Sequence, residues 1–113
     1  METLEQKFNE ELKAWKEHSN LPRIQIDSSM HRLIDCQPYR NIVAMGRDAL
    51  PMLRNVYDNN SKLLNTIKYH GIPIAVSQIL GESYIPESIR GNMSAIAEYT
   101  KAFLDLSLED FKS

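Results

Sequence analysis

Residues 39–59, YRNIVAMGRDALPMLRNVYDN, predict two helices joined by a glycine turn, and we expect the rest of the chain to pack around them. Tyr39, Ile42 and Val43 recur at the spacing that places side chains on one face of a helix. Gly46 is expected to end this first helix, because glycine adopts the left-handed conformation of a helix stop without a Cβ clash. The stretch therefore begins with an amphipathic helix that stops at a defined residue.

The second helix of the pair is expected to follow at once. Asp48 is a suitable cap for it, and Pro51 is tolerated in its first turn. Leu50, Leu53 and Val56 then recur at helical spacing. Two antiparallel amphipathic helices joined by so short a turn form an αα-hairpin, and their apolar faces are expected to be core.

The same stretch resembles known helical proteins. The run MGRDALPML, residues 45–53, is similar to one unit of a HEAT-type repeat, in which a glycine turn leads into an Ala-Leu-Pro-x-Leu helix. The order of signals from Pro38 to about Leu106 resembles a family of small uncharacterised bacterial and phage α-helical proteins. The segments that carry this likeness are Pro38-Tyr39, Met45-Gly46, Ala49-Leu50-Pro51, Ile79-Leu80-Gly81, Pro86 and Gly91. The resemblance implies an all-α fold with a HEAT-like hairpin and a bacterial or phage regulatory, defence or toxin–antitoxin setting.

Length and helical periodicity together predict one all-α domain over residues 1–113, a compact bundle of five to seven helices. The chain is 42% hydrophobic and 25% charged, close to the average for globular proteins, which argues against global disorder. Its formal net charge of −2 is far from the strong basic excess of typical nucleic-acid binders. Nucleic acid is therefore not the expected partner.

The cysteine count and the hydropathy pattern predict the compartment. A single cysteine, Cys36, permits no disulfide within a monomer, as is usual in a reducing environment. No apolar run approaches the ~20 residues of a transmembrane helix. The N-terminal sequence METLEQKFNEEL is acidic and amphipathic, unlike a signal peptide. We therefore expect a cytoplasmic protein without membrane contact.

The N-terminal part predicts a long helix, a linker and a short helix. Residues 2–18 carry an apolar stripe that ends at Trp15 and packs either on the core or on a partner. Residues 19–28 break the helical periodicity at Pro22 and are expected to form an extended linker. A short helix is then expected over residues 29–35.

Glycine and proline divide the C-terminal half. A helix capped by Ser61 is expected to end at Gly71, and Pro73 then restarts the chain in a short, nearly all-apolar helix that closes at Gly81. That helix is expected to be the most buried one of the molecule. Asn92 is expected to cap the last long helix.

The residues that carry metal or catalytic chemistry do not recur at the spacings such sites need. His18, His31 and His70 form no i, i+4 pair, and a zinc site needs about four ligands. Cys36 with His31 or His70 is a candidate nucleophile and base combination, and burial as a small hydrophobe is the commoner role of a free cysteine. We expect no metal, no cofactor and no enzymatic activity.

Four arginines form the clearest charge pattern. Arg40, Arg47 and Arg54 recur every seven residues, and Arg32 lies eight before the first. The series suits either an edge that binds phosphate or carboxylate, or ordinary solvated surface neutralised by nearby aspartates. Tyr84, in the loop before the last helix, suits either a packed strap over the core or an exposed partner contact.

The function predicted from these observations is a non-catalytic protein–protein interaction module with an unidentified protein partner. Homo-oligomerisation stays open. The alternative is a nucleic-acid or anionic-ligand module that uses the arginine edge, for which salt-sensitive binding would be the sign. A third class is an enzyme built on Cys36, which requires that Cys36→Ser abolish activity.

Overall fold

The secondary structure of the protein is helical. The computed structural model describes residues 3–25 and 31–112, and it describes the side chains of residues 3–25 and 31–106. Over the described residues the chain forms seven α-helices and no strand, so the predicted all-α fold is confirmed. The end of the predicted linker and the start of the helix predicted over residues 29–35 lie outside the described residues.

The seven α-helices differ widely in length. They are α1 (Leu4–Ser19), α2 (Pro22–Gln25), α3 (His31–Ile34), α4 (Gln37–Ala44), α5 (Leu50–Val56), α6 (Ile72–Leu80) and α7 (Met93–Lys112). Tighter 3₁₀ turns lie at Gly46–Ala49, Lys62–Leu64 and Glu87–Ile89, and a wider π-helical turn lies at Ile67–Gly71. No helix in the described ranges is long and apolar enough to cross a membrane.

The first two helices show where local signals suffice and where they fail. Thr3 caps α1 through a reciprocal pair of bonds: its hydroxyl accepts from the Gln6 N–H at 3.1 Å, and the Gln6 side chain accepts from the Thr3 N–H at 2.9 Å. The prediction of an extended linker after α1 is wrong at residues 22–25, which form α2. This helical turn buries Ile24 against the rest of the protein, a tertiary contact that the local sequence does not reveal.

The central segment is built on the expected stop. Gly46 has a φ of 68°, as a left-handed helix stop requires, and Pro51 lies in the first turn of α5. Asp48 does not cap α5, because it lies inside a 3₁₀ turn and Ala49 takes the cap position without a side-chain bond. Helix α4 packs mainly on α1 and α6, whereas α5 packs mainly on α7. A HEAT-like pairing of α4 with α5 therefore stays a prediction.

Trp15 is the centre of the core. Its side chain is 0% exposed, its indole N–H donates to the Leu33 carbonyl oxygen at 3.0 Å, and its ring lies 5.3 Å from that of Tyr39. Gly71 packs against the same indole: a Cβ added there would lie 2.6 Å from Cζ2 of Trp15. Gly71 is not the predicted helix stop, since its φ is −73° and the helical path continues directly into α6.

The remaining predicted caps are present. The Ser61 hydroxyl accepts from the Leu63 N–H at 3.3 Å, and the Asn92 side chain accepts from the Ala95 N–H at 3.1 Å. Gly81 ends α6 with a φ of 78°. Helix α6 buries four of its nine residues, in line with its apolar sequence: Ile72, Pro73, Ala75 and Val76.

Candidate binding groove

The candidate site is shaped by the π-helical turn Ile67–Gly71. Within it, the Ile72 N–H donates to the Ile67 carbonyl, five residues back instead of four. Pro73 is the physical reason, because it has no N–H to offer the Tyr69 carbonyl and its ring would clash with that carbonyl in a regular helix. Such π-helical turns are rare in proteins, and those that do occur are often found at functional sites.

The π-helical turn and α6 form one wall of an open groove of about 410 Å³. The opposite wall comes from the loop before α7 and from the start of α7. The nine lining residues, which we call the apolar groove, are Tyr69, His70, Pro73, Ile74 and Ser77 on the first wall and Ser83, Ile85, Met93 and Ile96 on the second. The volume falls within the roughly 300–1,000 Å³ of typical ligand sites, and most of the lining is apolar.

The apolar groove carries few polar groups and no full charge. Burial lowers the pKa of the His70 imidazole from its ordinary value, so the ring is neutral at pH 7, with one nitrogen as donor and the other as acceptor. Ser77 and Ser83 add hydroxyls, and Tyr69 stands at the mouth with 40% of its surface exposed. Such a lining suits an apolar group with a small number of hydrogen-bonding atoms.

A second groove of about 310 Å³ adjoins the first, since Tyr69 lines both. We call it the lysine groove, and its residues are Tyr57, Asn65, Lys68, Tyr69, Ser94, Ala97, Glu98 and Lys101. Its backbone is held by the Tyr57 hydroxyl, which donates to the Lys68 carbonyl oxygen at 3.0 Å. The Lys68 ammonium donates to the Asn59 carbonyl oxygen. Two ammonium groups and one carboxylate thus line this groove.

Tyr84 packs as a strap that holds the loop against α7. Its hydroxyl lies 2.5 Å from the Thr100 hydroxyl, and its ring stacks on Phe103 at 4.7 Å and on Tyr99 at 6.1 Å between centroids. Burial raises the pKa of Tyr84 to about 12. This strap fixes the neighbouring Ile85, one of the groove-lining residues.

Arg40 and Arg54, two arginines of the predicted edge, form ion pairs with aspartates. Nη1 of Arg40 lies 3.1 Å from the Asp35 carboxylate. Arg54, with only 16% of its side chain exposed, donates through Nε to Asp105 at 2.5 Å and lies 3.2 Å from Asp58 through Nη1. Carboxylates therefore offset both guanidinium charges, and Arg54 is directed towards α7.

The other two arginines lie on separate elements, Arg47 in the turn Gly46–Ala49 and Arg32 in α3. Arg47 is exposed in the 3₁₀ turn after α4. Arg32 lines a polar pocket of about 250 Å³ together with His18, Arg23, Ile24 and Asp35. Nε2 of His18 lies 2.7 Å from the Arg32 carbonyl oxygen. Asp35 thus lines the pocket of Arg32 and pairs with Arg40, whereas Arg54 pairs with Asp58 and Asp105, so Arg40 and Arg54 have different partners.

Cys36 has the surroundings of a small hydrophobe. Its thiol donates to the Leu33 carbonyl oxygen across 3.7 Å, and burial is the main cause that raises the pKa of the thiol. At neutral pH the protonated form dominates, and that form is the poor nucleophile. Among the described residues, no group of three or more His, Cys, Asp and Glu side chains is arranged to hold a metal ion.

Sequence reasoning missed Tyr69 and His70 as site residues. The one local signal was Pro73, which follows the predicted helix so closely that this helix had to end there or widen into a π-helical turn.

No protein-family model, curated protein or solved structure matches the chain. The likeness to small bacterial and phage helical proteins accordingly stays a prediction.

Proposed function

We propose that the protein is a non-catalytic protein–protein interaction module that holds an apolar segment of a partner protein in the apolar groove. The observation that carries this proposal is the groove itself, an open and uncharged surface with an apolar lining and a few polar groups. Protein interfaces commonly seat aromatic or aliphatic anchors in such a pocket and surround them with a polar rim.

The extent of the surface favours a peptide segment over a compact small molecule. The apolar groove continues past Tyr69 into the lysine groove, along the stretch of α7 from Met93 to Lys101. Eight helical steps span about 12 Å, or roughly two turns of a partner helix. An amphipathic helix that lays its apolar face into a groove is a common recognition mode of this size.

The walls of the groove are held by the core, which favours binding without rearrangement. Gly71 touches Trp15 directly behind the π-helical turn, and Tyr84 ties the opposite wall to Thr100. A site that is already ordered loses less conformational entropy when a partner docks.

We further propose a cytoplasmic setting, from the single cysteine, and a bacterial or phage regulatory, defence or toxin–antitoxin role, from the resemblance alone.

The alternative, an anionic-ligand or nucleic-acid module, draws its support from the polar pocket that Arg23 and Arg32 line. Binding there would weaken steeply with salt and would not depend on the apolar groove. A single experiment therefore separates the two functions.

The test uses the full chain and a phage-displayed library of random peptides of about twelve residues, long enough for more than two helical turns. Enriched peptides are then measured by fluorescence anisotropy on the wild type and on two variants. Ser77→Arg places a long side chain in the apolar groove, and Ser88→Arg makes the same change in an exposed turn that does not line it.

We expect enriched peptides to bind the wild type and the Ser88→Arg variant alike and to bind Ser77→Arg at least about tenfold more weakly, since a blocked pocket loses its anchor. The proposal is wrong if no peptide is enriched, or if Ser77→Arg binds as well as the wild type. Tight binding of single-stranded DNA or RNA that disappears at high salt would support the alternative.

A further inference from the structure

We infer that the partner segment carries a carboxylate side chain about two helical turns beyond its apolar anchor, and that this carboxylate docks in the lysine groove. This inference rests on the proposed function, because it requires that the apolar groove hold the anchor. It specifies the chemistry of the partner: an amphipathic segment with an apolar residue followed by Asp or Glu.

The charges of the lysine groove support an acidic occupant. Lys68 and Lys101 line it, against the single carboxylate of Glu98. The excess of one positive charge lies directly beside a groove with no full charge. Complementary charge next to an apolar site fixes the register of a partner and disfavours partners of the wrong sign.

The shared wall sets the spacing between anchor and carboxylate. Met93 lines the apolar groove, and Ala97 and Lys101 line the lysine groove, at four-residue intervals along one face of α7. The eight helical steps from Met93 to Lys101 correspond to about 12 Å. A partner helix that runs along this face covers the distance with side chains about seven or eight positions apart, which share one face.

The lysine groove has the hydrogen-bonding capacity for such a carboxylate. The Lys68 ammonium donates to the Asn59 carbonyl, and an ammonium group has three donors. The Tyr57 hydroxyl holds the Lys68 backbone in place. Lys101 is exposed on α7 and lines the lysine groove.

A charge swap on the full chain tests the inference. The probes are the peptides enriched on the wild type, each also made with its acidic residue changed to Gln or to Lys. They are measured on the wild type, on Lys101→Glu, and on Lys62→Glu, which makes the same change at an exposed lysine outside the lysine groove.

We expect the acid-to-Gln peptides to bind the wild type roughly fivefold more weakly, the size of one partly exposed ion pair, and the loss to shrink at high salt. Lys101→Glu should weaken the acidic peptides and bind the Lys-bearing peptides better than the wild type does, whereas Lys62→Glu should behave as the wild type.

Two results would overturn the inference, and they are distinguishable. Peptides that are blocked by Ser77→Arg but show no acidic preference and bind Lys101→Glu unchanged would remove the inference and leave the proposed function intact. A library that yields no enriched peptide would remove both.

Discussion

The two sides of the π-helical turn Ile67–Gly71 are packed in opposite ways. On the core side Gly71 leaves no room, because an added Cβ would lie 2.6 Å from the Trp15 ring. On the other side Tyr69 and His70 line an open groove of about 410 Å³. One turn of the chain thus provides a fixed backing and an accessible surface within consecutive residues.

The residues on the core side of this turn are therefore expected to determine stability, and those on the groove side to determine binding. A substitution on the core side should change the free energy of unfolding, because a close-packed interior tolerates neither a void nor an extra methyl group. A substitution on the groove side should change binding and leave stability nearly unaltered.

Trp15→Ala should be the most damaging change on the core side. Removal of a fully buried indole leaves a cavity and removes the indole hydrogen bond to the Leu33 carbonyl oxygen, and it should cost about 3–5 kcal/mol of unfolding free energy. Urea denaturation followed by circular dichroism measures the loss. Tyr99→Ala, at an aromatic side chain that is 37% exposed, is the control and should cost much less. Equal losses at the two positions would contradict the central role of Trp15.

Gly71→Ala should destabilise the protein by about 1–3 kcal/mol, because the new methyl group overlaps the Trp15 ring. The sign is diagnostic, since the same change inside an ordinary helix stabilises by roughly 0.5–1 kcal/mol. In a Trp15→Phe background, where the ring is smaller, the cost should shrink, and a double-mutant cycle measures that coupling. A stabilised Gly71→Ala variant would show that the two residues do not clash.

Gly46→Val separates backbone strain from packing. Gly46 has a φ of 68° and open space around the position of its missing Cβ, so the cost arises in the backbone alone. We expect more than about 1 kcal/mol of destabilisation, because a β-branched residue resists the left-handed conformation. Gly46→Asn should cost less, since Asn visits that conformation more readily. A chemical-denaturation midpoint unchanged by Gly46→Val would remove the helix-stop assignment.

His70→Gln should show the smallest effect, confined to acidic pH. Burial lowers the folded-state pKa of His70 below that of the unfolded chain, so the unfolded state binds the proton more readily. The contribution to stability is therefore complete above the unfolded pKa of about 6.5 and is lost as the pH falls below it. The free energy of unfolding of the wild type should fall across this pH range more than that of His70→Gln, as denaturant unfolding at several pH values would show. Parallel curves would place His70 in solvent.

The signals that predicted structure correctly are local ones. Gly46 and Gly81 required only their own backbone conformation, and Ser61 and Asn92 cap the residues that immediately follow them. The sequence allows two interpretations of Tyr84, and the contact with Thr100 that favours the strap joins the loop to α7, a different element.

The failure at Asp48 is local, because the residue lies inside a 3₁₀ turn, whereas the other failures depend on contacts between distant parts of the chain. The sequence predicts that Gly71 ends a helix, whereas in the structure Gly71 packs against Trp15, which is far away in sequence. The sequence predicts that residues 22–25 are extended, whereas the burial of Ile24 goes with a helical turn there. The apolar groove was missed because its walls come from three separate segments, and because the π-helical turn shifts Tyr69 and His70 away from the positions that regular helical periodicity assigns.

Trp15 is also the only tryptophan of the chain. Its indole is removed from water, bonded to the Leu33 carbonyl and in contact with Gly71, so its intrinsic fluorescence reports on one known location without any label. Unfolding exposes the indole and shifts its emission to longer wavelength. A ligand in the apolar groove lies across a single helical turn from this chromophore. The core thus contains an optical probe for both folding and occupancy of the groove.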